Sequence, residues 1–415
     1  MGRSAVPDAR HDAGHEARHS AARPGRSPAP ADGPLAGLRV LTFEQFGAGP
    51  YGSMFLADLG AEVIKVENAA TGGDASRQMG PHLLGENDSQ YFQTFNLNKK
   101  SIALDIKSPA GKETFRRLVA GADAVINNLR GDQPDKLGID YASLQAANPR
   151  IVCLHISAYG RDNARRDWPG YDFLMQAEAG LMSLTGEPDG PPARMGVSMI
   201  DFMTGITGIT GLLAAVIRAR ATGRGCDVDT CLFDVALHQL TYPGTWHLNE
   251  GEVPARLPRG SHLARTPVQT LRTADGWIFV GCMMDKFWDA LVAGLGRPDL
   301  AADPRFSSAG ARRDNRDALT AALDDVFSTR PTQAWLEILS GRLPVAPVHD
   351  VAQALANPFV AEAGMIARID HPARPGLRVL ANPLKIDGVR PVPAACSPLG
   401  ADTHDILGTA PEAVA

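Results

Sequence analysis

Residues 38–67 constrain the fold more tightly than any other stretch of this chain. Leu38-Arg-Val-Leu-Thr-Phe43 has the apolar and β-branched character of a strand, and Gly47-Ala-Gly-Pro50 reads as a turn. Residues 51–60 then suit a helix with Pro50 near its first position, and Ala61-Glu-Val-Ile-Lys-Val-Glu67 is a second strand. Two strands joined by one helix in so short a span lie parallel, with a right-handed crossover. Further strands are expected at 101–106, 124–129 and 151–156, with helical segments at 109–120 and 141–147 between them, and one more strand at 226–232 after the turn Thr222-Gly-Arg-Gly225. This alternation predicts an α/β fold whose larger part is a Rossmann-like, doubly wound domain.

The remaining chain divides by composition. Residues 1–33 are rich in Ala, Arg, His, Pro and Gly with no hydrophobic period, so they read as a disordered extension. His11, His15 and His19 within it are taken as incidental rather than as a metal site. A large domain is expected over 34–225 and a linker carrying a Gly lid over 226–270, of which residues 241–270, rich in Pro, Gly and Arg, read as irregular. A smaller α+β domain follows at 271–345, then a Pro-rich return segment, 346–415, that packs on the large domain. Hydrophobic residues are 44% and charged residues 21%, the balance of a soluble globular protein. A net charge of −5 argues against nucleic acid as the main partner. The five cysteines have no metal-binding spacing, so no metal is expected and reduced thiols in the cytoplasm are. The longest apolar run, residues 205–217, is too short to span a bilayer, and no membrane partner is expected.

Three stretches carry chemistry. Gly47, Gly49 and Gly52 match G-x-G-x-x-G after a strand, with Glu67 twenty residues beyond Gly47. On spacing alone this suits a nicotinamide dinucleotide, hence a dehydrogenase as one reading. Asn96-Leu-Asn98-Lys99-Lys100, with Arg77, Lys107, Arg130 and Lys136, places amides and cations at the loop ends of the sheet, where an anionic nucleotide-like ligand fits. Asp201 stands just before a helix marked by Gly205, Gly208 and Gly211. It is expected as an N-cap that the helix dipole keeps ionised, or as a nucleophile. Asp172 is a second carboxylate before a helix, a cap or an active-site acid, and Gly260-Ser261-His262 reads as a lid or as a surface loop.

Read together, these blocks resemble the family III CoA-transferases, the family of formyl-CoA transferase and carnitine CoA-transferase. The resemblance runs from about Leu35 to Leu407. It rests on Ala48-Gly-Pro50 with 56–67, Gly73-Asp74 with Arg77, Asn96-x-Asn98-Lys99, Gly170-Tyr171-Asp172, Asp201 with Thr204-Gly205, Thr222-Gly-Arg-Gly225, and Asn382-Pro383. It implies an acyl-CoA:carboxylate CoA-transferase, with Asp201 as nucleophile passing through an aspartyl-CoA thioester and succinyl-CoA as a candidate donor. It also implies that CoA enters as a substrate rather than a permanently bound cofactor, that a small carboxylic acid is the other partner, and that two chains interlock as a homodimer. By the same resemblance Phe46, Ala48, Arg77, Asn98, Lys99, Lys107, Asn128, Leu129 and Lys136 contact CoA. Gly47, Tyr171, Asp172, Gly260 and Ser261 would surround the acceptor. The alternative within the same fold is an α-methylacyl-CoA racemase. Racemases pair the Asp with a His to move an α-proton, and here Tyr171 takes that place; a phenol, with a reference pKa near 10, is a poor base.

Overall fold

Six strands build the central sheet: β1 (Arg39–Phe43), β2 (Glu62–Glu67), β3 (Lys100–Ala103), β4 (Ala124–Asn127), β5 (Val152–Ser157) and β6 (Cys226–Cys231). In this computed structural model, which describes residues 33–408, they run parallel in the order β3-β2-β1-β4-β5-β6. The expected N-terminal extension and its three histidines lie outside the described residues. All of β4 and β5 is buried, because helices cover both faces of a parallel sheet. Helix α1 (Ala48–Asp58) lies on one face; α2 (Gln90–Asn96) follows in the chain, and α3 (Pro109–Val119) packs Phe115, Leu118 and Val119 against the other face. The strand order reverses between β1 and β4, and the loops that leave these two strands meet there. Asn128 joins them at two points: its Nδ2 donates to the Gln45 carbonyl (2.6 Å) and its Oδ1 accepts the Gln45 N–H (2.9 Å).

The chain then forms α4 (Asp172–Glu178) and the long α5 (Met199–Thr222). By length and composition α5 could cross a membrane, yet Ile200, Ile209, Leu212 and Val216 belong to the core on the α1 face of the sheet. Its glycines explain how it fits. A methyl at Gly205 would come within 2.4 Å of the Ala48 carbonyl oxygen, and one at Gly52 within 2.7 Å of the Gly205 carbonyl oxygen, so the two helix backbones touch. Gly208 lies against Leu154 and Ile156 of β5, and Gly211 against Val228 of β6.

Several sequence boundaries are corrected. Residues 226–231 are not linker: they pair with β5 as the sixth strand, and Leu232 and Ala236 of the following helix, Leu232–His238, enter the main core. The large unit therefore continues past residue 225. The stretch expected to be irregular contains the helix Thr241–Glu250. A smaller antiparallel sheet, β7 (Val268–Arg272), β8 (Trp277–Gly281) and β9 (Val345–Pro347), carries its own core of Leu271, Ile278, Trp288, Leu323, Phe327 and Trp335. The Pro-rich tail contains a hairpin, Ile366–His371 with Arg374–Leu380, and then lies along the free edge of β3. Ser397 and Asp402 donate their N–H groups to the carbonyls of Lys99 and Ser101, and Ala103 N–H is accepted by Thr403 Oγ1. This covers a sheet edge that would otherwise expose unpaired backbone groups.

Beneath the β1–α1 turn lies a buried group of ionised side chains. Arg77 grips Glu67 through Nε (2.8 Å) and Nη2 (2.7 Å), Lys65 meets Asp74 at 2.9 Å, and Lys99 meets Glu44 at 2.8 Å. Burial alone would raise the Glu67 carboxyl; the Arg77 hydrogen bonds and charge outweigh it and hold Glu67 below the usual carboxylate range. Removing one partner strands the other charge in the interior. We therefore expect Arg77→Ala to cost about 3–5 kcal/mol in urea unfolding. Arg116→Ala, which removes an exposed 3.8 Å pair with Glu113, should change stability by less than about 0.5 kcal/mol.

Candidate active site

Helix α5 begins at Met199, so Asp201 lies inside its first turn rather than at its cap. Ser198 occupies the cap position and makes no side-chain cap bond. The capping carboxylate comes from another element: Asp172 Oδ2 accepts the N–H groups of Ile200 (2.6 Å) and Asp201 (3.0 Å). This reverses the expected electrostatics. The amide donors that were to hold Asp201 ionised are engaged by Asp172. No hydrogen bond among the described residues ends on the Asp201 carboxylate. Burial, and then the neighbouring negative charge of Asp172, push Asp201 up to about 7.

The carboxylate faces the β1–α1 turn. A methyl at Gly47 would sit 2.5 Å from Asp201 Oδ2, so this position has room only for glycine while the carboxylate stays where it is. Phe46 before it adopts a left-handed φ of 60°. That backbone is braced on both sides, by Asn128 at Gln45 and by Asp74 Oδ1, which accepts the Phe46 N–H at 3.3 Å. An aromatic wall flanks Asp201: Phe202 lies 4.7 Å from the Tyr51 ring and 5.6 Å from Phe95, with Tyr91 against Phe95 at 5.2 Å. Burial, then the Asp201 charge, raise the Tyr91 phenol above its ordinary value.

The residues expected around a nucleotide separate into two groups. Phe46, Gly47, Ala48 and Asn128 gather at the switch point beside Asp201. Leu129 is half-buried on the same loop as Asn128, while Lys107 and Lys136 are exposed, Lys136 paired with Asp132 at 2.6 Å. Arg77 and Lys99 are buried and Asn98 is half-buried, and all three spend their polar atoms within the protein, which corrects their assignment as ligand contacts. Arg77 is wholly buried on Glu67. Lys99 Nζ is used up by Glu44, the Asn96 amide and the carbonyls of Pro50 and Phe95. Asn98, at φ 64°, holds the tail through the Ala394 N–H and binds Asp58 at 2.7 Å. The dinucleotide reading fails for the same reason. Glu67 spends both oxygens on Arg77 and Ser101 and has none for a ribose, and Gly52 serves helix packing.

Tyr171 is 68% exposed beside buried Asp172. The Gly260–Ser261 loop is tied back toward the Asp201 segment: Arg259 N–H donates to Glu187 Oε1 (2.9 Å), and Arg256 Nη1 donates to the Pro191 carbonyl (2.8 Å). Sequence reasoning missed Gln176, Tyr51, Tyr91 and Phe202. Of these, Gln176 carried a readable signal, standing one helical turn after Asp172.

The family model described as CoA-transferase family III matches residues 35–403. The succinyl-CoA:mesaconate CoA-transferase of Haloarcula hispanica is 34% identical over 88% of this chain and 93% of its own length. The succinate–glutarate CoA-transferase of Agrobacterium fabrum is 35% identical over 83% of this chain and 86% of its own. A crystal structure of a CAIB/BAIF family protein from Brucella suis superposes with a TM-score of 0.78 at 34% identity, covering 91% of this chain and 99% of that one.

The raised Asp201 carboxyl has a consequence for stability. Its folded-state value lies above the unfolded value near 4, so the folded state loses stability as pH rises from about 4 to 7 and the loss is complete above that window. Asp201→Asn removes the burden of ionisation. Its melting temperature should exceed that of the unmodified protein at pH 8, and the difference should shrink as pH falls and close at about pH 4.

Proposed function

Because the chain belongs to CoA-transferase family III, we propose that Asp201 is the carboxylate through which it transfers CoA. The chain is an enzyme that moves CoA from an acyl-CoA to a carboxylic acid. The observation that carries the assignment of Asp201 is its setting: a part-buried carboxylate with no hydrogen-bond donor, facing a glycine at the switch point of the sheet. A carboxylate that is poorly solvated and of raised basicity is a competent nucleophile once ionised.

The reaction balances without an added proton. An Asp201 oxygen attacks the donor thioester carbonyl, the C–S bond breaks, and CoA thiolate leaves a mixed anhydride. The thiolate attacks Asp201 Cγ, the anhydride C–O bond breaks, and the donor acid departs from an aspartyl-CoA thioester. The acceptor carboxylate then attacks that Cγ and expels the thiolate. The thiolate takes the acceptor acyl group, and Asp201 is free again. Backbone N–H groups at the start of α1 lie on the Gly47 side of the carboxylate, where charge develops on the carbonyl oxygens. Phe46, Ala48, Asn128, Leu129, Lys107 and Lys136 are proposed to hold CoA, and Tyr171, Gly260 and Ser261 the acceptor.

The relatives support succinyl-CoA as donor and a small dicarboxylic acid as acceptor. A homodimer is part of the same reading. Leu248 and Val253, 84% and 77% exposed, and Ile217 on the outer face of α5 present apolar surface that a second copy would bury. The five unpaired cysteines suit a reducing compartment, and we place the enzyme in the cytoplasm.

Borohydride or hydroxylamine added during turnover should trap the intermediate on Asp201, identified by peptide mass. Asp201→Ala should abolish exchange of CoA between succinyl-CoA and a panel of dicarboxylates read by product mass; full activity in that variant would refute the assignment. Light scattering of the purified protein should give twice the chain mass.

A further inference from the structure

The segment that delivers Asp201, residues 194–201, is fastened to one short helix at three points. Gln176 Oε1 accepts the Met195 N–H (2.9 Å), and Asp172 Oδ2 accepts the Ile200 and Asp201 N–H groups. The two side chains are themselves joined, Gln176 Nε2 donating to Asp172 Oδ1 at 2.5 Å. The third point is Arg194. Its guanidinium lies 4.0 Å from the Phe173 ring and donates to the carbonyls of Met195 (3.0 Å) and Gly196 (3.2 Å). The helix itself is fixed at its middle by fully buried Met175 in the main core and at its C-terminal end by the Tyr159 hydroxyl on Glu178 (2.6 Å).

We infer that α4 is the positioning element of the reaction: Asp172 and Gln176 clamp residues 195–201 so that Asp201 is held against Gly47, with a second, fixed carboxylate behind the helix start. This rests on Asp201 as the nucleophile and adds what sets its reactivity. The start of a helix offers few free amides and one favourable field for a negative charge. Asp172 occupies both. Asp201, in the first turn of the same helix, is left beside a like charge and accepts no hydrogen bond from the described residues, which keeps its oxygens basic. The same like charge is largest in the carboxylate and falls when Asp201 is neutral in the anhydride or thioester, so it favours the step that consumes the carboxylate. Asp172 and Gln176 act through Asp201 and are positioning residues. Of the other titratable groups around it, Tyr91 from α2 feels the Asp201 charge, Tyr51 from α1 lies against the neighbouring Phe202 ring, and Asp74 below the turn is paired with Lys65.

Three variants separate charge from geometry. Asp172→Asn removes the charge but leaves an oxygen for the two helix amides. Its acid limb in kcat/KM, expected near pH 7 in the unmodified enzyme, should move down by about one unit as Asp201 ionises more easily. Its kcat at pH 8 should fall about tenfold with little change in KM for acyl-CoA. Gln176→Leu keeps the charge and releases Met195, so kcat should fall with the limb unmoved. Combining Asp172→Asn with Gln176→Glu restores the hydrogen-bond pattern, since the new amide can donate and both glutamate oxygens accept. The limb should stay below that of the unmodified enzyme while part of kcat returns. An unmoved limb in Asp172→Asn, or a change confined to KM, overturns the inference. Trapping on Asp201 in the unmodified enzyme is measured alongside: its absence would sink the nucleophile assignment itself, whereas trapping with an unmoved limb rejects only the role of α4.

Discussion

The contact on which the site depends is the touching of two helix backbones. Gly52 on α1 and Gly205 on α5 let the helices approach until no methyl group fits at either residue. That approach brings the start of α1, with Gly47, to the first turn of α5, with Asp201. Each helix is also fixed to the sheet, α5 through Gly208 and Gly211 on β5 and β6 and α1 through buried Leu56 and Ala57. The site is therefore a crevice at the carboxyl ends of the strands where the order reverses, held by elements that cannot shift independently.

Around that crevice the charges sort into two kinds. Those below the β1–α1 turn are paired charge for charge: Arg77 with Glu67, Lys65 with Asp74, Lys99 with Glu44, although Glu44 Oε2 is left without a hydrogen bond. They carry no chemistry, but through Asp74 they brace the strained Phe46 peptide. The charge on Asp201 is left uncompensated, with Asp172 taking the helix amides it might have used. Among the described residues, the carboxylate proposed as nucleophile thus meets neither a cation nor a hydrogen-bond donor, a setting in which acids of perturbed basicity cluster at functional sites.

Much of this was legible in the chain. The βαβ unit at residues 38–67 announced the parallel sheet, and every large-sheet strand fell within a few residues of its expected place, because period and turn residues are local signals. The Pro, Gly and Arg content of 241–270 suggests irregular chain, yet Thr241–Glu250 forms a helix there with Pro243 and Gly244 inside it. The boundary at 225 failed because β6, legible as a strand, pairs with β5 some seventy residues earlier, and no local pattern reports such a pairing. The Arg77, Asn98 and Lys99 block shows why site residues are harder to read than strands: a cation in a sequence looks the same whether it meets a ligand or a buried Glu, and here Arg77 meets Glu67 and Lys99 meets Glu44.

What the sequence by itself determined is the fold, the family and the carboxylate on which the chemistry is proposed to turn. Those follow from ordered blocks and from periodicities that each residue carries with it. Only the tertiary structure decided how that carboxylate behaves. Alone, Asp201 at a helix start should be an easily ionised cap. The fold brings in Asp172 from a segment twenty-nine residues away, gives it the amides, and leaves Asp201 half-buried beside its charge. Desolvation and like-charge repulsion depend on which atoms are neighbours in space, and that is settled only when the helices pack.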